Sequence, residues 1–165
     1  MSIDNRNTVR QAGFTLVELL AVVTILSIVT ALAAPSFTSF ASNQRLRGAS
    51  TDLVMTLLAA RSEAIKRNTE VTVSAAVAGG SVNWGRGWTA TAANGAQIDR
   101  KEVGSGFIDG STAPEAIVFD GSGRISAMGG ASIQLRDGRG EGVVAPRCIS
   151  IDLSGRPHSS VGACS

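Results

Sequence analysis

The sequence has no tyrosine, a single histidine and only two cysteines among its 165 residues. Each scarcity removes a class of function. One histidine, His158, leaves no Ser/His/Asp set to assemble for nucleophilic catalysis. His158 with Cys148 and Cys164 makes a poor closed zinc site, so no metal is expected. No glycine-rich phosphate loop stands between a strand pattern and a helix pattern. Charge of one sign is scarce too: the formal net charge is +2, and so small an excess creates no strong field over the whole molecule. No catalytic residue, enzyme activity or cofactor is expected on these grounds. No internal repeat is evident at periods of roughly 20 to 50 residues.

Glycine, by contrast, is abundant: its nineteen residues suggest a turn-rich domain with a modest core. The length suits one domain. Apolar residues are concentrated at the start. Residues 14–34 read FTLVELLAVVTILSIVTALAA, 21 positions with one charge, Glu18. At helical rise that run spans about 31 Å, the thickness of a bilayer hydrocarbon core. Two readings are open. A secretory signal would be cut after the run, at the small residues Ala33 or Ala34; a membrane helix would be kept. Glu18 favours the second, because a carboxylate at membrane depth is costly and usually serves a purpose. Arg6 and Arg10 precede the run and fit a cytoplasmic N-terminus by the positive-inside rule.

Pro35 predicts a kink or local melting. Helical periodicity then resumes. Phe37, Phe40, Leu46, Ala49, Leu53, Leu57, Ala60 and Ala64 define a core-facing stripe, and the helix is expected to end near Arg67-Asn68. Beyond it the period changes to two. Residues 70–74, 82–84, 88–91, 96–103, 116–120, 131–135 and 147–153 read as strands. Turn signals separate them at Asn94-Gly95, Asp109-Gly110, Asp120-Gly121, Asp137-Gly138 and Ser154-Gly155. Trp84 and Trp88 read as core anchors flanking a tight turn at 85–87. The fold class is therefore α+β: a long kinked helix, membrane half then amphipathic half, packed on a mostly antiparallel sheet.

The segment Gly13-Phe14-Thr15-Leu16-Val17-Glu18 resembles the prepilin signal of type IV pilins and type II secretion pseudopilins. The resemblance implies a division into a leader (1–13), a transmembrane and filament-core helix (14–34), an amphipathic helix (35–67) and a periplasmic β-rich domain (68–165). It implies cleavage between Gly13 and Phe14 by a prepilin peptidase on the cytoplasmic face of the inner membrane, and N-methylation of Phe14. It also implies a role for Glu18, which would neutralise the Phe14 amine of a neighbouring subunit in low dielectric and so fix one axial register between helices. The rest of the chain is similar to the GspH/FimT branch of that family. Residues 61–64 (RSEA), 84–88 (WGRGW), 117–123 (Ile-x-Phe-x-x-x-Gly) and 148–156 (Cys-Ile-x-Ile before Gly-Arg) carry the likeness.

Cys148 and Cys164 would then lie in an oxidising periplasm, where a structural disulfide closing about 17 residues is favoured over metal binding. Gly155-Arg156-Pro157-His158 resembles the Gly-Arg-x-Arg with which some FimT-type minor pilins bind DNA. Arg156, His158 and Arg147 are the candidate contacts here, with histidine weakening one phosphate-pairing charge. The resemblance thus implies a minor pilin that joins a type IV pilus with other pilins and helps to prime its assembly. Two alternatives stay open: a type II secretion pseudopilus subunit, and a DNA-binding minor pilin for natural transformation.

Overall fold

The computed structural model describes residues 14–78, 80–104, 106–110, 113–127, 129–140 and 144–164. The chain forms two compact units, one ending at Phe37 and one running from Thr38 to the C-terminus. A single helix, α1 (Leu16–Arg67), contributes to both. It does not melt at Pro35.

In the first unit α1 exposes its apolar side chains: Leu16, Val17, Leu19 and Ile25 are each more than half accessible. Its few hydroxyls are turned inward onto the helix. Thr24 donates to the Leu20 carbonyl at 2.7 Å, Ser27 to that of Val23 at 2.7 Å and Thr30 to that of Leu26 at 2.9 Å. Such back-bonding satisfies polar groups locally, which a lipid or apolar setting demands. This is a helix long and apolar enough to cross a membrane.

In the second unit the helix buries Leu46, Ala49, Leu53, Leu57, Ala60 and Ala64, as the periodicity predicts. Phe37 and Phe40 depart from the prediction. They are 72% and 60% exposed, because burial of the helix begins only at Ser42. Three polar residues, Ser42, Ser50 and Thr56, join the buried stripe instead. The helix ends as expected. Asn68 takes a left-handed φ of 50°, its N–H bonds the Ile65 carbonyl, and the Thr69 N–H reaches back to Ala64. That pair of bonds is a Schellman cap.

Among the described residues, two four-stranded sheets follow. The first contains β1 (Val71–Ala78), β2 (Ser81–Ala92), β3 (Gln97–Glu102) and β5 (Ala116–Phe119), in the order β3-β2-β1-β5. The second contains β4 (Ile108–Asp109), β6 (Ala131–Asp137), β7 (Arg147–Ile151) and β8 (Pro157–Val161), in the order β4-β6-β7-β8. Every pairing is antiparallel. The core lies between helix and sheets, with Trp84, Trp88 and Phe119 from one sheet and Ile133, Leu135 and Ile149 from the other.

Residues 84–88 correct the sequence reading. They are not a turn between two strands. β2 runs through them, while its partner β1 pairs Ala75 with Trp88 and Ala76 with Asn83, so four β2 residues bulge out of the ladder. The glycines are needed because neighbouring backbone crowds them: a Cβ on Gly85 would lie 2.2 Å from the Ile108 carbonyl oxygen, and one on Gly87 2.2 Å from that of Lys101. Both tryptophans are buried, as expected, and each indole N–H is satisfied, by the Pro114 carbonyl at 2.7 Å and by Thr56 at 3.1 Å. Asp109-Gly110 is likewise no turn. Asp109 belongs to β4, and its carboxylate accepts from Asn83 and Arg136, joining the two sheets.

Candidate functional site

The N-terminal end of α1 is the first candidate. Gly13 and the rest of the leader lie outside the described residues. Phe14 and Thr15 precede the helix, and the Glu18 N–H donates to Thr15 Oγ1 at 3.2 Å. Thr15 is thus the N-cap and Glu18 the third helical residue, the spacing of a capping box. Sequence reasoning missed this, although Thr-x-x-Glu ahead of an apolar run is its signal. A carboxylate in the first turn also complements the helix dipole. Phe14 is 75% exposed beside it.

The C-terminal region is the second candidate. Cys148 and Cys164 form a disulfide with Cα atoms 5.1 Å apart. The segment between them is not a loosely held tail: residues 157–161 are β8, hydrogen-bonded along β7. Cys164 is further fixed by its N–H donating to Gln134 Oε1 at 3.1 Å. The three residues inferred as DNA contacts are not gathered on one surface. His158 lies opposite Ser150 and Arg147 opposite Val161. Three positions separate Ser150 from Arg147 on β7, so strand alternation puts Arg147 and His158 on opposite faces. Arg147 shares the face of the buried Ile149 and Ile151, and its Nε is buried without a hydrogen-bond partner among the described residues. Arg156 and His158 are exposed.

Electrostatics inside the second unit serve packing. Asp137 lies on the inner face of β6 with Ile133 and Leu135 and is 3% exposed. Arg139 donates to it from Nε at 3.1 Å, from Nη2 at 2.8 Å and from its backbone N–H at 3.0 Å, and Nη2 also reaches Ser42 on the helix. The Arg139 bonds hold the Asp137 carboxyl far below the usual carboxylate range. Among the described residues no three His, Cys, Asp or Glu side chains are grouped to hold a metal ion.

A family model described as type II transport protein GspH matches residues 49–155. The chain belongs to the GspH family of pilin-like proteins. A second model, the prokaryotic N-terminal methylation motif, matches residues 9–34, the segment that carries the Gly13-Phe14 bond and Glu18. Two crystal forms of the type IV minor pilin FimU from Pseudomonas aeruginosa share the fold. The P21 form superposes with a TM-score of 0.60 at 21% identity, over 73% of this chain and 92% of that one. The P65 form gives 0.57 at 21%, over 69% and 91%. No curated protein is significantly similar in sequence. The GspH match joins the helix end, the Trp84–Trp88 bulge and the Gly155 turn into one family framework, with the disulfide partner Cys164 beyond it.

Proposed function

We propose that this GspH-family chain is a minor pilin of a type IV pilus. In this reading it sits in the inner membrane with its N-terminus cytoplasmic and residues 68–165 periplasmic. Prepilin peptidase cuts between Gly13 and Phe14 and methylates the new amine. The subunit then joins the filament at low copy, with other pilins, and helps to prime assembly. The observation that carries the proposal is the start of α1. Only Phe14 separates the bond to be cut from the N-cap Thr15, so cleavage leaves a cationic amine at Phe14, four residues before Glu18. A neighbouring subunit's amine, buried among exposed apolar side chains such as Leu16 and Leu19, would need a counter-charge at that depth. Glu18→Ala should leave the protein inserted but absent from sheared filaments. Normal incorporation of the variant would defeat the charge-pair account.

The description of the matching family favours one other reading, a subunit of a type II secretion pseudopilus. Deletion separates the two. Loss of surface pili with normal protein secretion supports the pilus; loss of secretion with normal pili supports the pseudopilus.

A further inference from the structure

An open groove of about 380 Å³ lies between α1 and the run from the end of β3 into β4. Gly48 and Ala49 line it from the helix; Val103, Phe107 and Ile108 line it from the other side. Ala49 and Ile108 are buried, whereas Phe107 is half exposed. A Cβ on Gly48 would meet no atom within 4 Å. The fold itself therefore does not require glycine at this exposed position, where alanine is the better helix former.

The charges around the groove leave one cation over. Lys101 pairs with Asp52 at 2.7 Å and Arg100 with Glu102 at 2.7 Å. Arg45 lies over the Phe107 ring, 4.3 Å from its centroid. It has no carboxylate within ion-pair distance among the described residues. An apolar hollow with one uncompensated cation at its rim suits an apolar side chain that has a carboxylate beside it.

The same chain carries that combination elsewhere. Of the large apolar side chains exposed beyond Phe37 among the described residues, only Leu153 has a carboxylate on an adjacent residue, Asp152. Leu153 is half exposed in the turn between β7 and β8. Asp152 Oδ1 accepts from the Ser154 hydroxyl and the Arg156 N–H, and Oδ2 has no hydrogen-bond partner among the described residues. Those bonds, with the Arg156 charge, hold the carboxyl below its usual range, so it is ionised at neutral pH.

Turn and groove lie on opposite flanks of α1. At the groove, Asp52 reaches Lys101 of β3. Arg61 reaches the Gly123 carbonyl, and its Nε would be 3.2 Å from a Cβ on Gly155 of the turn. Helical steps of about 100° put Asp52 and Arg61 half a turn apart. From Ala49 to Arg61 the helix rises roughly 18 Å. A second copy shifted sideways, and by about that distance along the helix, therefore brings its turn to the groove. Its helix points the same way, as in two copies anchored in one membrane.

We propose that the groove takes the Asp152-Leu153 turn of a second copy of this chain. Leu153 enters against Val103 and Phe107, and Asp152 faces Arg45. The contact joins one patch to a different one, so it continues from copy to copy and holds copies as neighbours. It goes beyond the pilus reading, because neither the leader nor Glu18 takes part and either filament can contain it.

The test uses the full-length chain in zwitterionic micelles. Unlabelled protein with Leu153 replaced by the photoreactive p-benzoylphenylalanine is mixed with isotopically heavy protein and irradiated. Adducts between light and heavy copies should form, with the cross-link at Ala49, Val103 or Phe107 of the heavy copy. Gly48→Met in the heavy copy fills the groove and should cut the yield about fivefold or more, with thermal unfolding unchanged. Ser62→Met, exposed on α1 outside the groove, should not alter the yield. Arg45→Gln should cut it about two- to fivefold at low salt, and less at high salt. Cross-links confined to one chain, adducts at other sites, or a yield that Gly48→Met and Arg45→Gln leave unchanged would overturn the proposal. In cells, an adduct of position 153 with another protein in place of a second copy would overturn it as well.

Discussion

Asp137 sits where period-two alternation places an apolar side chain, in line with Ile133 and Leu135, and it is tolerated because Arg139 and the turn backbone satisfy it. Its native pKa is depressed, so the stabilisation is complete above the unfolded carboxylate range and is lost as pH falls through that range toward the native value. Asp137→Asn should cost about 1–3 kcal/mol at neutral pH and should flatten the acid limb of the stability curve. Urea unfolding between neutral pH and pH 3 checks both; an unchanged acid limb would mean that another group controls it. Gly155 makes a second residue-scale test. Gly155 and Gly95 both have positive φ, 75° and 82°, but only Gly155 faces the Gly123 carbonyl. Gly155→Ala should therefore destabilise by more than Gly95→Ala, which carries only the backbone penalty of about 1 kcal/mol. Equal losses in thermal unfolding would argue against the contact between the turns. Neither residue could be assigned its role from sequence. Asp137-Gly138 reads as a turn signal, which hides the place of Asp137 on the inner face of β6 and its tie to Arg139, and a glycine after Ser154 announces a turn without saying what presses on it.

At the scale of elements, the long periodic segments were legible and the short ones were not. β1, β5, β6 and β7 carry enough alternation to be read directly, and basic residues ahead of Asn68 mark the end of α1. β4 has two residues, too few for any period. β8 reads Pro157-His158-Ser159-Ser160-Val161, a composition that signals a turn; pairing with β7 makes it a strand. Ser50 on the helix meets Ser159 of β8 at 2.6 Å, a pairing across 109 positions that no local pattern encodes. The disulfide adds to this strand's hold. Cys148→Ser should lower unfolding stability by about 2–4 kcal/mol, read by denaturant titration. Amide exchange should accelerate in residues 157–161 more than in β1. Uniform acceleration in both would mean that the bridge secures the whole domain and not β8 in particular. At the other end, Thr15→Ala removes an N-cap and should cost about 1 kcal/mol of local helix stability, seen as faster amide exchange at Leu16–Glu18 in micelles.

For the molecule as a whole, the prepilin-type start and the distant GspH motifs point to one family, and the family and fold comparisons agree with them. The candidate sites were less legible than the fold. The disulfide pair was readable because only two cysteines exist. The DNA contacts were inferred from the resemblance of Gly155–His158 to a Gly-Arg-x-Arg motif, with Arg147 added to them, and strand alternation separates Arg147 from His158. Arg61 and Gly123 lie far from that motif in the chain and are brought to Gly155 by folding. The central claim concerns the start of the mature protein, where cleavage before the apolar run keeps the helix for assembly and cleavage after it would discard the helix. The most direct test is the N-terminal residue and intact mass of the protein recovered from cells. The account predicts a chain beginning with N-methylated Phe14. A chain beginning after Ala33 or Ala34 would contradict it, and the filament reading would fall with it.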